Sequence, residues 1–108
     1  MSSDDSRQTS RRRVLLGAKI VFGEGAGTLD CSIVDSSPEG ARLRLKNRAI
    51  VPHSFNLIDI RSGTAHEVET VWSRSQELGV RYLTSTSLRG DVGAPLKHLQ
   101  RLWATLQA

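Results

Sequence analysis

An all-β domain with one C-terminal helix, arranged as a small antiparallel six-stranded β-barrel with a flexible basic N-terminal tail, is the fold the sequence predicts. Three observations predict it. Short runs rich in branched and aromatic residues recur at intervals of about 8 to 12 residues, with turn residues between them. The run Ala41-Arg42-Leu43-Arg44-Leu45-Lys46 alternates apolar and cationic residues, which is the period of a half-buried strand. After Gly93-Ala94-Pro95 the period changes to that of a helix. A closed barrel is preferred to an open sheet because closure leaves no exposed strand edge.

Residues 1–13 carry no periodic apolar residues and are rich in Ser, Asp and Arg, so they are expected to form the flexible tail. The barrel and helix occupy residues 14–108. The first strand, residues 14–22, stops at Gly23-Glu24-Gly25-Ala26-Gly27, a flexible hairpin loop. In the second, Leu29, Cys31 and Ile33 share one face, and in the third Ala41, Leu43 and Leu45 point inward. Further strands are expected over residues 54–60, 65–72 and 78–83. Between them lie Val51-Pro52-His53, Arg61-Ser62-Gly63 and Arg74-Ser75-Gln76-Glu77. The helix, about residues 95–107, gathers Leu96, Leu99, Leu102, Trp103 and Leu106 on one stripe, with Lys97, His98, Gln100 and Arg101 on the other side. Pro95 near its start and Gly93 before it mark an abrupt beginning. Trp103 is expected to anchor that stripe on the barrel.

A chain of 108 residues supports one core and one domain. A net charge of +4 and a pI near 10.0 favour anionic partners without choosing among them. A single cysteine, Cys31, can close no internal disulfide and is expected as a small buried hydrophobe. Ser10-Arg11-Arg12-Arg13-Val14-Leu15-Leu16 superficially matches a twin-arginine leader, but Lys19 and Glu24 interrupt the apolar region such a leader needs. No apolar run approaches the roughly 20 residues of a membrane helix, so a soluble, cytoplasmic protein without membrane attachment is expected.

Several kinds of chemistry find little support. The Gly23 to Gly27 loop leads into a strand, whereas phosphate-binding glycine loops open a helix. His53, His66 and His98 lie far apart with no second ligand at metal spacing, so no metal site is expected and surface histidines suffice. No serine has a neighbouring base or a nucleophile elbow, so the protein is not expected to be an enzyme. Two segments carry more content. Arg7-Gln8-Thr9-Ser10-Arg11-Arg12-Arg13 holds four arginines and no lysine. Guanidinium is a planar fork that clamps two phosphate oxygens or the O6/N7 edge of guanine, although such a run also serves as a solvated tail. Asp35-Ser36-Ser37-Pro38-Glu39-Gly40 offers a carboxylate able to accept from guanine N1-H and N2-H, a hydroxyl donor and a glycine that admits positive φ or close approach. The same residues also spell an ordinary turn.

Together these segments resemble the PilZ domain, a family of cyclic di-GMP receptors marked by RxxxR ahead of a β-barrel and [D/N]xSxxG on it. Arg7 and Arg11 have the first spacing, and Asp35, Ser37 and Gly40 fill every fixed position of the second. The resemblance extends through Gly40-Ala41-Arg42-Leu43, the strand ending at Trp72 and Leu78-Gly79-Val80-Arg81-Tyr82, about residues 7–84. It implies that Arg7 and Arg11 contact ligand phosphates and guanine, that Asp35 and Ser37 contact a guanine and its surroundings, and that Gly40 shapes the turn. Arg12 and Arg13 are candidate additional contacts, whereas Arg42 and Arg44 are expected to be charged surface. The implied function is a cyclic di-GMP receptor, without other cofactor, whose arginine segment becomes ordered on binding and signals to a protein partner. One alternative is a barrel of the same architecture that binds a protein and no nucleotide. Another is a nucleic-acid-binding barrel, which the placing of most of Phe22, Phe55, Trp72, Tyr82 and Trp103 in core segments weighs against.

Overall fold

The computed structural model describes residues 12–107, so Arg7 and Arg11 lie outside the described residues. Six strands and one helix follow one another: β1 (Arg12–Phe22), β2 (Gly27–Ser36), β3 (Gly40–Leu45), β4 (Ser54–Asp59), β5 (Thr64–Arg74), β6 (Glu77–Ser87) and α1 (Lys97–Leu106). Every strand pair is antiparallel, and the order β1-β2-β3-β6-β5-β4 returns to its start because β4 pairs with β1 from Ala18 opposite Asp59 to Val21 opposite Asn56. The expected six-stranded antiparallel sheet with one C-terminal helix is therefore present.

Alternation decides what each strand buries. Ala18 and Ile20 of β1, Cys31 and Ile33 of β2, Leu43 of β3 and Leu57 of β4 turn into the enclosed core. Val21 and Ile58, the very next residues after Ile20 and Leu57, are also fully buried, but on the outer face beneath α1. Both faces of β1 and β4 are thus covered at this point, which explains why Ile20-Val21 and Leu57-Ile58 are unbroken apolar pairs rather than an alternation.

The helix is held by three kinds of contact. Leu99 and Trp103 close over Val21, Ile58, Ala65 and Leu88. The Trp103 indole N–H donates to the Ile60 carbonyl at 2.8 Å, and the Arg89 guanidinium sits 5.2 Å from its ring centroid. The Gln100 amide donates to the carbonyls of Leu88 at 2.9 Å and Gly90 at 2.6 Å, which fixes the connection that leads from β6 to the helix. Gly63 turns under the Trp103 ring with φ of +71°, and a Cβ there would fall 2.4 Å from Cζ2, so two independent reasons require glycine.

Several boundaries differ from expectation. β1 begins at Arg12, so Arg12 and Arg13 belong to the sheet and not to a tail that runs to residue 13. β6 continues through Thr84-Ser85-Thr86 to Ser87, because His66, Ala65 and Thr64 of β5 supply partners for a polar segment that has no apolar period of its own. The Gly23 to Gly25 loop is a one-turn 3-10 segment in which Glu24 itself takes φ of +54°. His66 is half-buried and stacked on Tyr82 with ring centroids 4.1 Å apart, not a surface histidine. Among the described residues no helix is long and apolar enough to cross a membrane, and no group of acidic, cysteine and histidine side chains could hold a metal ion.

Cys31 is buried in β2, and desolvation pushes its thiol up to about 12. Since only the thiolate reacts, alkylation at about pH 8 should proceed no faster than the chain unfolds; mass spectrometry of iodoacetamide-treated protein with and without urea checks this. Removing the helix anchor by Trp103→Ala should cost about 3 to 5 kcal/mol in a urea melt, whereas loss of less than about 1 kcal/mol would mean that α1 contributes little to the fold.

Candidate functional site

β2 ends at Ser36 and β3 begins at Gly40, so Ser37, Pro38 and Glu39 make the corner between them. The Ser37 N–H donates to the Gly40 carbonyl at 2.8 Å, and the Gly40 N–H returns to the Ser37 carbonyl at 3.3 Å. Pro38 follows the first residue of this four-residue turn, where a fixed φ is an advantage and no N–H is needed. The Ser37 hydroxyl folds over its own turn: its oxygen accepts from the Glu39 N–H at 3.3 Å and its O–H donates to Glu39 Oε1 at 3.3 Å. The Glu39 carbonyl accepts from the Tyr82 N–H at 2.8 Å, which ties the corner to β6. Gly40 has a packing reason to be glycine. A Cβ at this position would stand 2.1 Å from the Val80 carbonyl oxygen, so β3 and β6 could not approach with any other residue.

Asp35 sits one strand in from β1 and is flanked by cations on both sides. It is opposite Arg13 on β1 and opposite Arg42 on β3; Arg42 is opposite Gly79 on β6, and Gly79 is opposite Trp72 on β5. Residues directly opposite in a sheet share a face, so Arg13, Asp35, Arg42, Gly79 and Trp72 form one row across five strands on the outer surface. Arg42 Nε lies 3.9 Å from Asp35 Oδ2, and its Nη1 donates to Glu77 Oε1 at 3.3 Å. Arg44 approaches the same glutamate from its other side, with Nη2 2.9 Å and Nε 3.2 Å from Oε2. That hydrogen bond from Arg44, joined by the Arg42 and Arg44 charges, holds the Glu77 carboxyl below its ordinary value.

At the other end of the row, the Trp72 ring lies across Gly79, where a Cβ would fall 2.0 Å from the indole nitrogen. Trp72 remains 41% exposed and neighbouring Val71 62% exposed. Both point outward because β5 carries a bulge between Thr70 and Trp72 that breaks its alternation. The ring borders an open groove of about 330 Å³ whose wall includes Ser37, Glu39, Gly40, Val80 and Arg81. Arg81 pairs with Glu69 across the β5–β6 ladder. An exposed indole, a carboxylate and several guanidinium groups on one surface can stack on a planar base, accept from its edge and meet an anion.

The inner side of the corner is supported by Tyr82. Burial raises its phenol, with a hydrogen bond to Ser36 partly offsetting the rise. Its stacking partner His66 makes a 2.7 Å hydrogen bond between Nδ1 and the Ser85 hydroxyl, and burial lowers its imidazole, with Asp59 acting the other way.

The structure therefore brings Asp35, Ser37 and Gly40 onto one corner and sets Arg12 and Arg13, both exposed, opposite Ser36 and Asp35. Arg7 and Arg11 fall outside the described residues. Arg42 is not plain charged surface, since it reaches both Asp35 and Glu77. Trp72, which the sequence places at the end of a strand, lines the groove because of the β5 bulge. No protein-family model matches the chain, and no curated protein matches it.

Gly40→Ala should destabilise the protein by about 1 to 3 kcal/mol without any ligand present. Gly17→Ala is the control, as a Cβ there meets only Ile60 Cδ1 at 3.9 Å, and it should change stability by no more than about 0.5 kcal/mol; urea melts separate the two. For His66, a lowered folded value means the unfolded chain takes up a proton first as pH falls below 6.5. This part of the stability is complete above that pH and is lost below it. The stability advantage of wild type over His66→Gln should therefore shrink between about pH 7.5 and about pH 5.5, as urea melts at the two pH values would measure.

Proposed function

We propose that the protein is a cyclic di-GMP receptor of the PilZ type, with a PilZ-like barrel as its scaffold. The observation that carries this reading is the register of β1 on β2. Arg13 opposite Asp35 and Arg12 opposite Ser36 bring the start of β1 directly beside the Asp35 to Gly40 corner, and Arg11 is the residue before Arg12. Arg7 lies five residues before Arg12, a reach of no more than about 18 Å even when extended. In this reading both motifs serve one ligand. Cyclic di-GMP has two phosphates for guanidinium groups and two guanines, each with the N1-H and N2-H pair that a carboxylate accepts. Trp72 adds an exposed ring at the end of the same row.

In this reading the ligand lies on the outer surface over Asp35 and Ser37, and Arg7 and Arg11 close on it, with Arg12 and Arg13 adding positive charge. Ordering the five residues from Arg7 to Arg11 costs about 5 to 10 kcal/mol at about 1 to 2 per residue. Two arginines making two charge-assisted hydrogen bonds each return about 6 to 12 kcal/mol at about 1.5 to 3 per bond. The two ranges nearly cancel, so loss of either arginine is severe. The ordered segment then presents a new surface to a protein partner in the cytoplasm, and no covalent chemistry is involved.

A second reading draws on Val71 and Trp72, adjacent exposed apolar residues of the kind that mark a protein-docking face. On it the corner is a turn and the module binds protein alone. A nucleic-acid platform is disfavoured, because Phe55 and Trp103 are buried, Phe22 and Tyr82 are half-buried, and of these five aromatic side chains Trp72 alone is exposed.

Calorimetry of full-length protein with cyclic di-GMP distinguishes these readings. Wild type should bind, while Arg7→Ala, Arg11→Ala and Asp35→Ala should each weaken binding by about tenfold or more. A silent wild-type titration would favour the protein-binding module, and undiminished binding by both arginine variants would remove the assigned role of the RxxxR segment.

A further inference from the structure

We infer that Arg42 is the positioning residue of the corner, a guanidinium braced on Glu77 that sets the Asp35 carboxylate for the edge of a guanine. The inference rests on the cyclic di-GMP reading.

Arg42 and Arg44 both point outward from β3, yet their side chains differ: Arg42 is 28% exposed and Arg44 57%. The difference follows from what each can reach. Arg42 is opposite Asp35 on one neighbouring strand, and one of its terminal nitrogens reaches Glu77 at the start of the other. Only a planar fork can present Nε to one carboxylate and Nη1 to a second at once. Glu77 is itself fixed from the far side by two bonds from Arg44. The result is a line of alternating charge, Arg44, Glu77, Arg42, Asp35, laid across three strands.

The two contacts of Arg42 are unequal. At 3.3 Å the bond to Glu77 is a hydrogen bond, whereas 3.9 Å to Asp35 Oδ2 is too long for one. Arg42 is therefore anchored at Glu77 and acts on Asp35 through charge and proximity, without this contact occupying an acceptor position on Oδ2. Asp35 Oδ1 is itself buried, so a carboxylate held in one orientation offers an outside ligand a fixed acceptor edge, for which guanine N1-H or N2-H is a suitable donor. The alternative, that Arg42 simply adds positive potential for an anionic ligand, makes the opposite prediction about its anchor.

That opposition supplies the test. Removing the negative charge of Glu77 raises the positive potential of the surface, so if charge alone mattered Glu77→Gln would bind cyclic di-GMP more tightly than wild type. If Arg42 positions Asp35, Glu77→Gln frees the guanidinium and weakens binding, by about three- to tenfold. Arg42→Met should weaken binding by about tenfold, Arg42→Lys should recover little because a point charge cannot span both carboxylates, and Arg42→Met should add little further loss in an Asp35→Ala background. Calorimetry of these five variants, counting Asp35→Ala and its double with Arg42→Met, reads all of this, with thermal melts by circular dichroism to confirm that each is folded. Wild-type protein that binds while Glu77→Gln binds equally or more tightly overturns the inference and leaves the receptor reading standing. Wild-type protein that takes up no cyclic di-GMP overturns the receptor reading and, with it, the role assigned to Arg42.

Discussion

The pairing of β1 with β2, in one register along the core and shifted once between Arg13 and Leu16, is the constraint on which the site depends. Ala18 opposite Cys31 and Leu16 opposite Ile33 put apolar residues of both strands into the core, while Val21 faces out beneath the helix. A slip of one residue would exchange those faces. It would expose side chains such as Ile20 and Ile33, each of which stabilises the fold by about 1.5 to 3 kcal/mol when buried. That core register, continued through one shift between Arg13 and Leu16, sets Arg13 opposite Asp35. The site thus takes its geometry from apolar packing several residues away, and its charged members need not supply the energy that places them.

Within the corner, structural and chemical duties fall on different residues. Gly40 answers to the Val80 carbonyl, and the Ser37 hydroxyl answers to the backbone and side chain of Glu39. Both would be favoured by a turn joining β2 to β3 even without a ligand. Asp35 is different: it precedes the turn, its side chain is only 16% exposed, and arginines stand opposite it on both neighbouring strands. A carboxylate in that setting is held between two cations, which is a property a ligand can use and a turn does not need.

The legible part of the fold followed from period. Ala41 to Lys46 announced β3 and its inward face, and the stripe from Leu96 to Leu106 announced the helix and its Trp103 anchor. What was not legible depended on partners distant in the chain. Arg12 and Arg13 have no apolar signature and join β1 only because Ser36 and Asp35 continue β2 far enough to pair with them. The hydroxyl-rich end of β6 is a strand because β5 is still there beside it. The outward turn of Trp72 was not legible, because it depends on one inserted residue in β5, with the glycine opposite giving its ring a floor. Arg42 was visible as an outward cation, but its two carboxylate neighbours lie 7 and 35 positions away in sequence.

The central claim is that the corner, the start of β1 and Trp72 form one ligand surface at one end of the sheet. Chemical-shift mapping of ¹⁵N-labelled protein during a cyclic di-GMP titration tests it most directly. The account predicts that the amides of Arg12, Arg13 and residues 35–40 move together with the Trp72 indole N–H. The β1–β2 loop at Gly23 to Gly25 and residues 46–50, which lie toward the opposite ends of the β1–β2 and β2–β3 ladders, should stay in place. Shifts concentrated at those opposite ends, with the corner unmoved, would contradict it.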